Sequence, residues 1–191
     1  MNRKIVTLLL CLAVVSSACI AQKQPGKPPF SSSIDRLFTK VQTDILTTAE
    51  AMPADRFDFT PDSLHIAGAT FDSVRTFAGQ IMHLASDNML IWSAINSQKL
   101  LYDIPDVNGP KNIKTKKEVI DYLKYSFEIG RNAIKTITAA NAGELVQFRW
   151  RKLSKLDLAF YGIVHANEHY GQMVVYLRMC GLIPPPTKAE N

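Results

Sequence analysis

Apolar side chains recur at alternating steps of three and four residues in several long stretches of the chain, and this spacing limits the possible folds more than any other feature. It places the apolar side chains along one face of an α-helix. The clearest example comprises Val74, Phe77, Ile81, Leu84, Asn88, Ile91 and Ile95. No stretch alternates convincingly between apolar and polar residues, the pattern that would predict a strand. The sequence therefore predicts an all-α fold without strands, and four such helices predict a four-helix bundle.

Capping residues and helix breakers give the bounds of the four predicted helices. Thr70 can accept hydrogen bonds from the free backbone N–H groups at the start of the second helix. Thr115 and Glu118 have the spacing of a reciprocal capping box at the start of the third, and Gly181 is placed to cap the end of the fourth. The first predicted helix spans about 31–52 and the fourth about 154–180. The second begins near 70 and ends before the loop at 103–110, and the third runs from 115 to the turn at 141–143.

Residues 1–21 have the pattern of a secretory signal peptide. A positively charged start at residues 2–4 precedes an apolar run at 5–15, and small residues follow. This run of about eleven residues is too short to span a bilayer of roughly 30 Å as a helix. We expect cleavage after Ala21 and an exported protein, periplasmic or extracellular, with no transmembrane segment in the mature chain.

Cys19 offers a second interpretation of the same segment, because lipoproteins carry their lipid on a cysteine near the cleavage site. Ser16 stands three places earlier, where a larger aliphatic residue is usual, so we favour cleavage without lipid attachment. After the signal peptide, the chain divides into a linker at 22–30, a helical bundle at 31–185 and a C-terminal tail at 186–191.

Charge and cysteine content exclude several classes of function. Removal of Arg3 and Lys4 with the signal peptide lowers Lys+Arg from 22 to 20 against 17 Asp+Glu, so the net charge falls from +5 to +3. So mild a charge, without basic runs interleaved with aromatic residues, does not predict nucleic-acid binding. We interpret the basic cluster at 149–152 as a solvated loop before the fourth helix. Cys180 is the only cysteine beyond the signal peptide, so no internal disulfide is expected.

The second and fourth predicted helices lack the charged face of a solvent-exposed helix. Between residues 76 and 98 the only charged side chain is Asp87, and between 157 and 177 the only ones are Asp157 and Glu168. Helices of this kind are covered on most sides or line a cleft.

Three histidines lie on these uncharged helices. His165 and His169 are four residues apart, so one helical turn points both imidazoles the same way. His83 lies off the apolar seam of the second helix. Around the helix axis it lies on the same side as Gly79 and Asp87. We therefore expect the two histidine-bearing faces to lie opposite one another across a cleft.

Three imidazoles that meet in a cleft predict a site for one divalent metal ion. Imidazole is a ligand that zinc, nickel, copper and iron share, and we expect zinc or nickel. Three protein ligands leave one position open for a substrate, as in catalytic zinc sites. Each imidazole is expected to donate its other N–H to a partner, and the candidate partners in reach are Asp87, Glu168 and Gln172.

Simpler interpretations use the same residues. A pair of histidines four residues apart on a helix often arises by chance, and His83 off its seam can simply face water. We expect His65, between the first two helices, to be a solvated loop residue. Cys180 lies about three turns beyond His169 and is expected to pack at the end of the bundle rather than to act as a nucleophile.

Three segments carry a resemblance to a known family. They are QIMHLA at 80–85, HANEHYGQ at 165–172 and YLRMCGLIPP at 176–185. With these segments the chain resembles the DinB-like family of metal-binding four-helix bundles, over about residues 34–185. The resemblance implies that one histidine of the second helix and two of the fourth hold a divalent metal ion, which maps onto His83, His165 and His169.

The resemblance also implies classes of activity and partner. Some members are transferases that act with low-molecular-weight thiols such as bacillithiol or mycothiol, and several members pair into homodimers. Those thiols are cytoplasmic reductants, so export would separate this protein from them. We therefore predict a metal-dependent transferase or hydrolase with a small-molecule substrate. The alternatives are a homodimeric bundle that binds a metal or small ligand without turnover, and a purely structural, metal-free bundle.

Overall fold

Four α-helices and one short β-hairpin make up the fold in residues 30–104 and 106–185, which the computed structural model describes. The predicted signal peptide, nearly all of the linker and the tail lie outside these residues. The elements in chain order are α1 Ser31–Ala51, α2 Phe77–Asn96, α3 Lys116–Thr136, β1 Leu145–Phe148, β2 Arg151–Ser154 and α4 Lys155–Met179, with 3₁₀ turns at Ala54–Arg56 and Pro61–Leu64. The predicted four-helix fold is confirmed.

Side-chain caps fix where the last two helices begin, as the sequence predicted. The Thr115 hydroxyl accepts a hydrogen bond from the Glu118 backbone N–H, and the Glu118 carboxylate accepts one from the Thr115 N–H at 2.8 Å. Ser154 caps α4 in the same way, accepting from the Asp157 N–H at 3.0 Å. These caps satisfy backbone donors that a helix start otherwise leaves unpaired.

The second helix begins at Phe77, so the predicted start near Thr70 is wrong. Thr76 is the residue that caps it, accepting from the Gly79 N–H at 2.9 Å. Ser73 has a φ of 66°, a left-handed conformation that interrupts any helix before this point. Val74 is consequently not part of the helical seam and is 40% exposed.

The third helix is also shorter than predicted and ends at Thr136. Ile137 is extended, with ψ of 123°, and the Asn141 side chain accepts from the Thr138 N–H at 2.7 Å. Asn141 also donates to the Thr136 carbonyl at 2.8 Å, so it caps the freed end of the helix from the following turn.

The prediction of no strands is wrong for the segment before α4. There β1 and β2 pair antiparallel, with Leu145 opposite Ser154 and Phe148 opposite Arg151. The predicted solvated loop at 149–152 is therefore the turn of a hairpin and the first half of β2. The turn residues are Arg149 and Trp150, and Arg149 has a φ of 53°. Four-residue strands and a turn without glycine or asparagine carry little of the usual hairpin signal.

Trp92 of α2 lies at the centre of the bundle, fully buried. It is accommodated by Gly130 of α3 and Gly162 of α4, where an added Cβ would lie 3.2 Å and 2.8 Å from the indole. The Gly162 contact brings α4 close to α2 within one turn of His165. None of the helices that the structure describes is long and apolar enough to cross a membrane.

Candidate metal centre

The three predicted histidines converge between α2 and α4. One ligand nitrogen of each lies within 4.8 Å of the others, a spacing that can hold a single metal ion. The ring centroids of His165 and His169 are 4.6 Å apart, and that of His83 is 5.4 and 4.9 Å from them. His165 and His169 are buried, while His83 is half-buried at the edge. The two histidine-bearing faces therefore lie opposite one another, as the sequence predicted.

Two of the imidazoles are oriented by hydrogen bonds through Nδ1. His83 Nδ1 lies 2.9 Å from the carbonyl oxygen of Val107, and His169 Nδ1 lies 2.9 Å from Oε1 of Gln80. Both oxygens are acceptors, so each Nδ1 carries the proton and each Nε2 keeps its lone pair, that of His169 facing Nε2 of His165. This is how proteins commonly hold a histidine that ligates a metal.

Neither hydrogen-bond partner was predicted. The sequence does contain a signal for Gln80, a polar residue on an uncharged helix three positions before His83. Val107 contributes only its backbone carbonyl, which no residue type in the sequence could have indicated.

The Nε2 atoms of His165 and His169 are 3.2 Å apart. Two nitrogens bound to one tetrahedral ion at about 2.0–2.1 Å would be separated by about 3.3–3.4 Å. The Nδ1 of His165 is buried and has no hydrogen-bond partner among the residues described. The donors thus fit a divalent ion in number and type.

The environment keeps the two buried imidazoles neutral. Burial, acting together with the neighbouring His165, His83 and Arg75, lowers the pKa of His169 to about 3. Burial also lowers the pKa of His165, although the nearby carboxylate of Asp87 opposes this effect. Neutral imidazole is the form that binds metal, because a proton occupies the ligand lone pair otherwise.

The three candidate partners occupy different positions around the histidines. Asp87 is 2% exposed, and its Oδ2 lies 3.5 Å from Nε2 of His165. Its Oδ1 accepts a hydrogen bond from Nη2 of Arg149 at 2.6 Å, a contact that sequence reasoning missed. Glu168 is exposed and Gln172 half-buried, and both line the cleft above the histidines.

A cleft of about 560 Å³ opens over the histidine cluster. Among the described residues that line the cleft, Arg75 is the only basic side chain other than histidine, and Glu168 is the only carboxylate. The Tyr176 hydroxyl donates to the Arg75 carbonyl at 2.9 Å and so joins α4 to the cleft rim. The lining residues are Pro61, Phe71, Ser73, Val74, Arg75, Gln80, His83, His165, Glu168, His169, Gln172 and Tyr176.

The remaining candidates lie away from this cluster. His65 is exposed, with a left-handed φ of 48°, as expected for a solvated loop residue. Cys180 is half-buried beyond the end of α4, where its carbonyl accepts from Arg56 at 2.8 Å. Burial raises the pKa of the Cys180 thiol, which disfavours the thiolate that a nucleophile needs.

Comparison with known proteins gives a family and a fold. A family model described as the DinB superfamily matches residues 37–173. A DinB-like protein from Bacillus cereus ATCC 10987 superposes with a TM-score of 0.61 at 17% identity, covering 80% of this chain and 93% of that one. A conserved protein from Enterococcus faecalis superposes with a TM-score of 0.59 at 16% identity, covering 80% of this chain and 97% of that one. A DinB-like protein from Bacillus subtilis superposes with a TM-score of 0.55 at 16% identity, covering 78% of this chain and 92% of that one. No curated protein matches the chain.

Proposed function

This chain belongs to the DinB superfamily, and we propose that it holds one divalent metal ion through His83, His165 and His169. The observation that carries the proposal is the meeting of three imidazoles from two helices, two of them fixed through Nδ1 so that Nε2 keeps its lone pair. One ligand nitrogen of each imidazole lies within 4.8 Å of the others, close enough for all three to bind a single ion.

Zinc or nickel fits the donor set best. Nitrogen ligands suit these ions, whereas calcium and magnesium prefer several oxygen ligands. The nearest carboxylate, that of Asp87, is already paired with Arg149. Elemental analysis of protein purified without a histidine tag and incubated with zinc, nickel and manganese tests this proposal. A stoichiometry near one zinc or nickel supports it, and a value near zero for all three contradicts it.

We propose that the bound ion serves a metal-dependent transferase or hydrolase acting on a small molecule. A divalent ion at this site supplies Lewis-acid chemistry to a molecule in the cleft. The chain adds the Arg75 guanidinium to attract anionic groups, the Glu168 carboxylate to accept a proton, and apolar contacts from Phe71 and Val74. A panel of thiol and ester substrates assayed with and without chelator tests this, and an absence of metal-dependent turnover counts against it.

The alternative is a non-catalytic bundle that keeps a metal or small ligand and acts as a homodimer. It is favoured by three exposed apolar side chains on α4, Phe160, Val164 and Val175, which are 48%, 65% and 45% exposed. Metal binding without turnover, together with a dimer in solution, would favour this alternative over the enzyme.

We also propose that the protein acts outside the cytoplasm, on the strength of the signal-peptide pattern at residues 1–21. N-terminal sequencing of the native protein should then begin near Gln22. A lipid-bearing Cys19 at the N-terminus would move the cleavage site, and an intact Met1 would contradict export.

A further inference from the structure

The hairpin turn reaches into the metal centre through one side chain. Arg149 has a left-handed backbone conformation, and its Nη2 lies 2.6 Å from Oδ1 of Asp87 on α2. The Asp87 side chain is 3% exposed and that of Arg149 is 31% exposed, so the ion pair links the surface of the hairpin to the interior. The guanidinium also lies 5.2 Å from the ring centre of Phe148, which holds it in place.

The second oxygen of Asp87 faces the histidine cluster. Oδ2 lies 3.5 Å from Nε2 of His165, and the same nitrogen lies 3.2 Å from Nε2 of His169. Nε2 is the nitrogen of His165 that faces His169 and would bind the metal, so the carboxylate lies beside the metal position and not at the far ring nitrogen. A separation of 3.5 Å is too long for a strong hydrogen bond, so the carboxylate acts on His165 through its charge. Arg149 holds one oxygen of that carboxylate and thereby sets where the other one points.

The hairpin also approaches His165 indirectly, through Tyr161 of α4. The ring of Tyr161 stacks on His165, with centroids 5.9 Å apart and planes inclined by 24°. Phe148 of β1 lies against Tyr161 at 6.0 Å, and the guanidinium of Arg151 on β2 lies 5.8 Å from its ring centre. His165 is thus held between a carboxylate and an aromatic ring that both depend on the hairpin. It is also the histidine whose Nδ1 has no hydrogen-bond partner among the described residues.

We propose that Arg149 is a positioning residue of the metal centre, which acts through Asp87 to fix His165 for metal binding. The inference rests on the proposed three-histidine site. His83 and His169 are oriented by hydrogen bonds of their own, whereas His165 depends on a carboxylate that would otherwise be a buried, unpaired charge. A residue in a surface turn therefore sets the affinity of a site whose imidazole nitrogens it does not contact.

Arg149→Asn tests the proposal without straining the turn. Asparagine tolerates the left-handed conformation at this position, and its side chain is too short to reach Asp87. Substitution of partners that orient metal ligands typically weakens binding by about 10- to 100-fold, and we expect a loss in this range for cobalt(II) measured by competition with a chelator. The absorption spectrum of the bound cobalt should change as well, because the position of His165 changes. Lys152→Gln, which removes an exposed charge from the same hairpin, is the matched control and should bind cobalt as the wild type does.

A double-mutant cycle with Asp87→Asn then tests the route of the effect. If Arg149 acts through Asp87, Arg149→Asn should cause little further loss of affinity in the Asp87→Asn background. Arg149→Lys, which keeps the charge but not the planar fork, should restore part of the affinity.

Three outcomes would overturn the inference. One is a cobalt affinity of Arg149→Asn within about twofold of the wild type, well below the loss that such substitutions typically cause. Another is a lower melting temperature of the metal-free variant with unchanged affinity and spectrum, which would make the ion pair structural only. The third is a loss of cobalt affinity on adding Arg149→Asn to Asp87→Asn that is as large as the loss Arg149→Asn causes in the wild type. A wild-type protein that binds no cobalt would instead contradict the proposed function itself, so the two failures are distinguishable.

Discussion

His169 is the residue on which the most evidence at the site converges. It is buried, its Nδ1 is 2.9 Å from Oε1 of Gln80, and its Nε2 is 3.2 Å from Nε2 of His165. Its role as a ligand can be separated from its role in packing, because the apolar seam of the bundle does not use it.

We predict that His169→Ala abolishes the rise in melting temperature that zinc or nickel produces. Metal that binds only the folded chain stabilises it by about 2.7 kcal/mol when the free metal exceeds its dissociation constant a hundredfold. The far-ultraviolet circular dichroism of the metal-free variant should stay close to that of the wild type. His65→Ala is the control, since His65 lies exposed in a loop, and it should keep the full response. A metal response in His169→Ala equal to the wild type would contradict the ligand assignment.

The lowered pKa of His169 predicts how the stability of the metal-free protein depends on pH. The unfolded chain binds a proton here below about pH 6.5, whereas the folded chain does so only near pH 3. Between these values protons favour the unfolded state, so the free energy of unfolding falls as the pH falls. The slope is at most about 1.4 kcal/mol per pH unit for each such histidine.

Urea unfolding of chelator-treated protein at pH 7 and pH 4.5 measures this effect. His169→Gln cannot bind the proton, so its stability should fall less over the same interval. Equal losses in the variant and the wild type would show that His169 is not responsible.

At the scale of elements, the approach of α4 to α2 depends on Gly162. An added Cβ there would lie 2.8 Å from the Trp92 ring and 3.1 Å from Ile91. Because His165 follows Gly162 by one turn, this contact also sets the distance between the histidine-bearing faces of the two helices.

We predict that Gly162→Ala destabilises the protein by about 1–3 kcal/mol, the range for overpacking a core. Gly171→Ala is the matched control on the same helix, because nothing lies within 4 Å of its added Cβ. That substitution should stabilise the protein by about 0.5–1 kcal/mol, since alanine favours a helix over glycine. Chemical unfolding of both variants checks the pair, and a Gly162→Ala variant as stable as Gly171→Ala would refute the close approach.

The elements that the sequence predicted well are those with strong local signals. The capping box at Thr115 and the four-residue spacing of His165 and His169 are complete within one or two turns, so the sequence alone predicts them. The start of α2 was misplaced because Thr70 and Thr76 are both acceptable caps, and a left-handed Ser73 decides between them.

The contacts that the sequence did not predict join distant parts of the chain. The carbonyl of Val107 that orients His83 comes from a loop 24 residues away, and Arg149 reaches Asp87 across 62 residues. A hairpin turn of arginine and tryptophan gives no local sign that it supports a site on two helices.

At the scale of the whole molecule, the non-catalytic alternative predicts self-association through the exposed apolar side chains Phe160, Val164 and Val175 of α4. Under that alternative the protein should sediment as a homodimer and Val164→Glu as a monomer with an unchanged helical signal, because burying a charge in an apolar interface is costly. Leu145→Glu is the control, since Leu145 is 66% exposed on the hairpin rather than on α4. A wild-type protein that sediments as a monomer at all concentrations tested would contradict the homodimer.

The central claim, that His83, His165 and His169 hold one metal ion, is tested most directly by diffraction from crystals of protein grown with zinc. Anomalous difference maps collected on either side of the zinc absorption edge identify the ion and its place. The account predicts one zinc peak about 2.0–2.1 Å from a nitrogen of each of the three histidines. A map with no peak among the three imidazoles, or with zinc bound only to surface residues elsewhere, would contradict it.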